Sequence, residues 1–117
     1  MKPRKPCLLI DSRDAFGRSD GGFARQLALQ LAADDVPVTL LLVNNAVLAA
    51  RAGASDADAA SKAGLAALAA RGVSVLADSF ALRERGIDAQ RLASGVAAAT
   101  LDVVIDRMVE GWHVIWH

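Results

Sequence analysis

Cys7–Ile10 is a continuous apolar run that stops at Asp11-Ser12-Arg13-Asp14, the pattern of a buried strand whose C-terminal end opens into a polar loop. Gly17, Ser19, Asp20, Gly21 and Gly22 make that loop rich in turn formers. Phe23, Leu27 and Leu31, with Ala24 and Ala28 beside them, then recur at helical spacing. Ser19 or Asp20 is expected to cap this helix by accepting hydrogen bonds from its free amides. Asp34-Asp35 and Pro37 end it, and Val38–Val43 reads as a second strand, apolar except at Thr39. Ala46–Arg51 predicts a short helix and Gly53 to Asp58 a small-residue break. Ala59–Arg71 then predicts an alanine-rich helix carrying Leu65 and Leu68, stopped by Gly72 in the left-handed conformation.

Val73–Ala77 reads as a third strand, Ser79–Arg85 as one or two helical turns closed by Gly86, and Ile87-Asp88 as the lead into a turn around Arg91. Val96–Ala99 is a fourth strand. Thr100 is expected to cap an amphipathic helix with Leu101, Val104, Ile105 and Met108 on one face, ended by Gly111. Trp112–Trp116 is the last strand. Strand and helix alternate with no Asn-Gly or Asp-Gly hairpin turn joining two strands, which predicts parallel pairing through helical crossovers. The fold expected is a three-layer α/β/α sandwich with a mostly parallel sheet of about five strands, one domain over residues 1–117. Ligands on such sheets bind beyond the C-terminal ends of the strands. The candidate ligand-binding residues are therefore Asp11 and Arg13, Asn44 and Asn45, and Asp78 and Ser79, with Thr100 on the same edge.

Composition narrows the function classes. Hydrophobic residues make up 54% of the 117 positions, many of them alanine, whereas aromatics are 4% and tyrosine is absent, so the core must be aliphatic and disorder is excluded. Thirteen basic and thirteen acidic residues leave no net charge, which argues against attachment to nucleic acid or to a membrane by bulk charge. Apolar runs such as Val38–Val43 are far shorter than the roughly 18–20 residues of a membrane span. Cys7 is the single cysteine and can form no disulfide within the chain. With no secretory pattern at the N-terminus, a cytoplasmic, reduced protein is expected.

Several chemistries lack their residues. Gly17, Gly21 and Gly22 do not have the spacing of a dinucleotide turn, and no Gly-Lys-Ser/Thr loop is present. A phosphoreceiver site needs a lysine at the tip of the last strand and adjacent acidic residues for magnesium. The lysines here are Lys2, Lys5 and Lys62, and Asp11 and Asp14 are separated by two residues and not adjacent. His113 and His117 on a strand lie about 13 Å apart and cannot share an ion, so no metal or other cofactor is expected and both are assigned to solvent. Trp112, Val114 and Trp116 share one strand face, expected to be core, with a subunit contact as the alternative.

The stretch Val73-Ser74-Val75-Leu76-Ala77-Asp78-Ser79-Phe80-Ala81-Leu82-Arg83-Glu84-Arg85-Gly86-Ile87 resembles the signature of the DsrE/DsrF/TusD-like sulfur-relay family. The Gly/Ser loop after the first strand, Asp34-Asp35-Val36-Pro37-Val38, the polar tip before Ala46-Val47, the helix Leu101–Glu110 and the last strand extend the resemblance over essentially the whole chain. It implies a cysteine at the tip of the third strand that carries sulfane sulfur as a persulfide. Asp78 occupies that position here, and a carboxylate cannot hold a persulfide. The resemblance therefore implies a non-catalytic homo-oligomer, or an accessory subunit assembled with related chains, with no catalytic residue assigned. The alternatives are a small-ligand binding domain using the residues of the C-terminal edge, and a persulfide carrier acting through Cys7. Against the last, Cys7 leads Leu-Leu-Ile as a small buried hydrophobe would, at the opposite edge of the sheet from Asp78.

Overall fold

The computed structural model describes residues 5–13, 22–52 and 64–117. Its strands are β1 (Cys7–Asp11), β2 (Val38–Leu42), β3 (Ser74–Asp78), β4 (Val96–Ala99) and β5 (His113–Trp116). All pair in parallel, in the order β4-β3-β2-β1-β5. β1 and β2 are buried at every position, as strands covered on both faces must be. The helices are α1 (Phe23–Ala33), α2 (Leu65–Ala70), α3 (Ser79–Glu84) and α4 (Asp102–Val109), with a 3-10 helix at Asn44–Ala50.

The strand order explains the layering. The chain steps from β1 to β4 in one direction, and right-handed crossovers place the intervening helices on one face. That face holds the larger core: Leu9, Leu40, Leu42, Val75 and Ala77 from the sheet meet Ala24 and Ala28 of α1, Leu65 and Leu68 of α2, Val47 of the 3-10 helix, and Ala81 and Leu82 of α3. The last crossover runs back past β1 to β5, so α4 lies on the other face. There Leu8, Ile10, Leu41 and Val43 are covered by Val103 and Val104 of α4, with Trp112 and Leu76 at the margin.

The four helices end alike. At α2, Gly72 takes φ +90° while its N–H donates to Ala69 O and that of Val73 donates to Leu68 O, both at 3.1 Å. This is the paired C-terminal bonding that reverses a helix into the next strand. α3 does the same through Gly86 and Ile87, and α4 through Gly111 and Trp112. In α1 the left-handed position is Asp35, at φ +61°. Each time an apolar residue just past the helix starts the return to the sheet. Arg85-Gly86-Ile87 is thus the sequence trace of a helix end.

Several expectations are corrected. The N-cap of α1 is Gly22, with no side-chain cap, and Ser19 and Asp20 lie outside the described residues. α2 spans Leu65–Ala70, and the part of its expected range before residue 64 is likewise outside. The short helix after β2 starts earlier than expected, at Asn44, with 3-10 geometry. Thr100 does not cap α4: the N-cap is Leu101, and Thr100 contributes only its carbonyl, to Val103 N at 3.3 Å.

The face of α4 is also rotated. Val103 and Val104 meet the sheet, whereas Leu101, Ile105 and Met108 are 50%, 62% and 60% exposed. Arg107 accounts for the rotation: its guanidinium lies 4.7 Å from the Trp112 ring centroid and bonds Glu110 at 3.1 Å, which turns the 103/104/107 stripe inward. Trp112 is accordingly half-buried. Trp116 is 65% exposed and every residue of β5 is exposed, so the expected core face of the last strand is mostly surface.

Candidate functional site

Between β1 and β5 the strand order reverses, and the C-terminal edge at such a point is where open parallel sheets form crevices. β1 ends there in Asp11, only 1% exposed. One carboxylate oxygen, Oδ1, accepts from the Arg13 amide at 3.1 Å. The register that puts Leu9 on the α1 face puts Asp11 there too, toward the positive charge of the buried Arg25 of α1. His117 closes the other side. Its N–H donates to Ile10 O at 2.8 Å, its carbonyl accepts from Ser12 N at 2.9 Å and Ser12 Oγ at 3.1 Å, and its ring lies tilted by 41° against Phe23, the centroids 4.7 Å apart. His117 is half-buried, which corrects its assignment to solvent, while His113 is exposed.

Burial pushes the Asp11 carboxyl above its ordinary value, and the Arg13 amide and the charges of Arg25, His117 and Arg13 only partly oppose this. The folded state therefore holds the Asp11 proton more tightly than the unfolded chain. As pH rises from about 3.8 through the raised folded value, this group loses stability for the fold, and above that value the loss is constant. Asp11→Asn should remove the loss. In thermal melts from acid to neutral pH, the variant is expected to gain on the parent across that window and then run parallel to it. A parent that gained on the variant would show that Arg25 and His117 outweigh burial.

The other expected residues sit farther along the same edge. Asp78, 4% exposed at the tip of β3, is the N-cap of α3: its two carboxylate oxygens accept from Phe80 N and Ala81 N, each at 3.3 Å. A cap of this kind is worth about 1 kcal/mol. Ser79 is the first residue of α3. Asn44 takes φ +50° at the start of the 3-10 helix, and Asn45 Oδ1 accepts two bonds from Arg85, Nε at 3.2 Å and Nη2 at 2.9 Å. Thr100 is exposed. The structure thus divides the expected set. Asp11 and Arg13 belong with Arg25 and His117, Asp78 and Ser79 with the start of α3, and Asn45 with Arg85. No hydrogen bond among the described residues joins the three groups.

The sequence pattern drew attention to His117 only as a metal ligand to be excluded, and not to Arg25 at all. A signal for Arg25 exists, since it stands three residues before Ala28 on the inward stripe of α1 and faces a strand that ends in a carboxylate. Cys7 is buried at the N-terminal end of β1, with Sγ 3.8 Å from Lys5 O and its thiol pushed up by burial. No group of three or more potential metal ligands exists among the described residues, and no helix there is long and apolar enough to cross a membrane.

The model of the DsrE/DsrF-like family matches residues 5–117. The chain belongs to this family. No curated protein matches it in sequence. Among solved structures, the ychN protein from E. coli superposes with a TM-score of 0.84 at 20% identity, covering 97% of this chain and 100% of that one. MTH1491 from Methanobacterium thermoautotrophicum, a protein of unknown function, gives 0.76 at 23% identity, with 95% and 96% covered. BT1422 from Bacteroides thetaiotaomicron, likewise of unknown function, gives 0.69 at 12%, with 97% and 95% covered. At these identities the likeness is one of fold. In this chain that fold carries the reversal beside β1 and the capped turn after β3 that hold the candidate residues.

Proposed function

We propose that this chain is a non-catalytic subunit of a DsrE-like assembly of the sulfur-relay type, and that a second copy of the chain covers α4. The observation that carries the reading is the apolar surface left on that helix. Leu101, Ile105 and Met108 recur at helical spacing and are at least half exposed, with Val109 beside them at 82%. Trp116 adds an exposed aromatic on the neighbouring edge strand. Each aliphatic side chain fully withdrawn from water contributes roughly 1.5–3 kcal/mol. A net charge of zero removes bulk repulsion between copies.

Two features support the absence of persulfide chemistry. At the tip of β3, the position that the family resemblance assigns to a sulfur-accepting thiol, stands Asp78, with both oxygens already committed to helix amides. The only thiol is at the far end of β1, buried and with its ionisation suppressed, and the thiolate is the form that attacks sulfur.

Sedimentation velocity over a concentration series should show an oligomer. Ile105→Asp with Met108→Asp should yield a monomer of unchanged circular dichroism. A parent that stays monomeric at every concentration, alone and with related subunits absent, removes the support for self-assembly. Intact mass after incubation with a sulfane-sulfur donor should show no gain in the parent and a reductant-reversible gain in Asp78→Cys. A stoichiometric gain on the parent that Cys7→Ser abolishes would make the protein a carrier with a relocated nucleophile.

A further inference from the structure

A cleft of about 490 Å³ lies at the C-terminal end of α3, between the residues that follow the 3-10 helix and the loop that leads to β4. Among the described residues it is lined by three arginines, Arg51, Arg85 and Arg91, and one carboxylate, Asp88, with Ile87 as its main apolar wall. The cleft has the size of a small-molecule site.

Among the described residues, the arginines are held without being neutralised. Arg85 spends Nε and Nη2 on Asn45 Oδ1 and Nη1 on Ala81 O, at 3.2, 2.9 and 3.2 Å, and all of these acceptors are uncharged. Arg51 Nε donates to Leu48 O at 3.0 Å, also uncharged. Its backbone bridges to Leu92, and Ala52 N donates to Arg91 O at 3.0 Å, so Arg51 and Arg91 are fixed on facing strands of one short bridge. Among the described residues Arg91 pairs with Asp88 at 3.9 Å, with side chains 84% and 59% exposed, a pairing too solvated to bind its charge firmly. Three cations gathered around one carboxylate repel one another, and a multiply charged oxyanion relieves that repulsion through guanidinium hydrogen bonds.

We propose that this cleft binds a phosphate monoester, its dianionic head on Arg51, Arg85 and Arg91 and its apolar portion against Ile87. Asn45 acts here as a positioning residue, fixing the plane of the Arg85 guanidinium. The proposal is independent of self-assembly through α4.

Calorimetric titration of the whole protein with glycerol 3-phosphate, and with inorganic phosphate and sulfate, in chloride-matched buffer tests it. The expected result is saturable binding, tightest for the phosphate ester and weakened at least tenfold in Arg51→Gln with Arg91→Gln. Both of those side chains are exposed, so the fold should persist. Asp88→Asn should tighten binding, and Arg71→Gln, an exposed arginine outside the cleft, should leave it unchanged. Tighter binding of phosphate than of its ester would limit the site to the anion alone and overturn the ester assignment. No saturable binding by the parent, or equal loss in Arg71→Gln, would overturn the cleft itself.

Discussion

Gly95→Ala is expected to cost about 2–5 kcal/mol, by far the largest effect of any glycine replacement among the described residues. A Cβ added at Gly95 would stand 2.5 Å from the Cβ of Ala69, much closer than two carbons approach, and the residue is also at φ +84°. Neither partner can swing aside, because one is a helix side chain with no rotamers and the other is joined directly to β4. The left-handed conformation alone costs an alanine about 1–2 kcal/mol, and overpacking adds about 1–3. Gly72→Ala provides the control: it shares the positive φ, at +90°, but meets nothing within 4 Å. Urea unfolding should place it at about 1 kcal/mol. Equal costs for the two variants would mean that α2 shifts away from β4 without penalty.

That contact also marks a limit of the sequence. The alternation of strands and helices, the two buried central strands and the glycine ends of three helices were legible from short-range patterns of apolar residues and turn formers. The strand order was not, because parallel crossovers of similar length are compatible with several orders. Without it, the close approach of Ala69 to Gly95, or of His117 to Asp11, has no local signature. The candidate site shows the same division. Asp78 was legible as a strand-tip residue, and its cap on α3 involves only the next three residues. The grouping of Asp11 with His117 depends on β5 lying beside β1, a relation between residues at opposite ends of the chain. The helix α4 failed for a different reason. Its apolar pattern gave the right element but a rotated face, because the Arg107 guanidinium lies over the Trp112 ring while Leu101, Ile105 and Met108 remain in water.

The two faces of β2 should respond differently to the loss of a side chain. Leu40 and Leu41 are adjacent, both 0% exposed, and belong to opposite cores. Leu40→Ala opens a cavity among α1, α2, α3 and the 3-10 helix, elements anchored on several sides, and is expected to cost about 3–5 kcal/mol at any protein concentration. Leu41→Ala opens its cavity beneath α4, a single eight-residue helix with no buried residue, which can settle toward the sheet and recover part of the loss. For dilute protein a cost of about 2–3 kcal/mol is expected, at the low end for such a substitution. If a second copy packs on α4, assembly stabilises that face by mass action, and settling of the helix disrupts the contact it presents. The difference in melting temperature between parent and Leu41→Ala should then widen as protein concentration rises, while that for Leu40→Ala stays constant. Thermal melts of the three proteins over a hundredfold concentration range measure this directly. A Leu41→Ala deficit independent of concentration would separate the α4 face from assembly altogether and leave its exposed aliphatic stripe without that role.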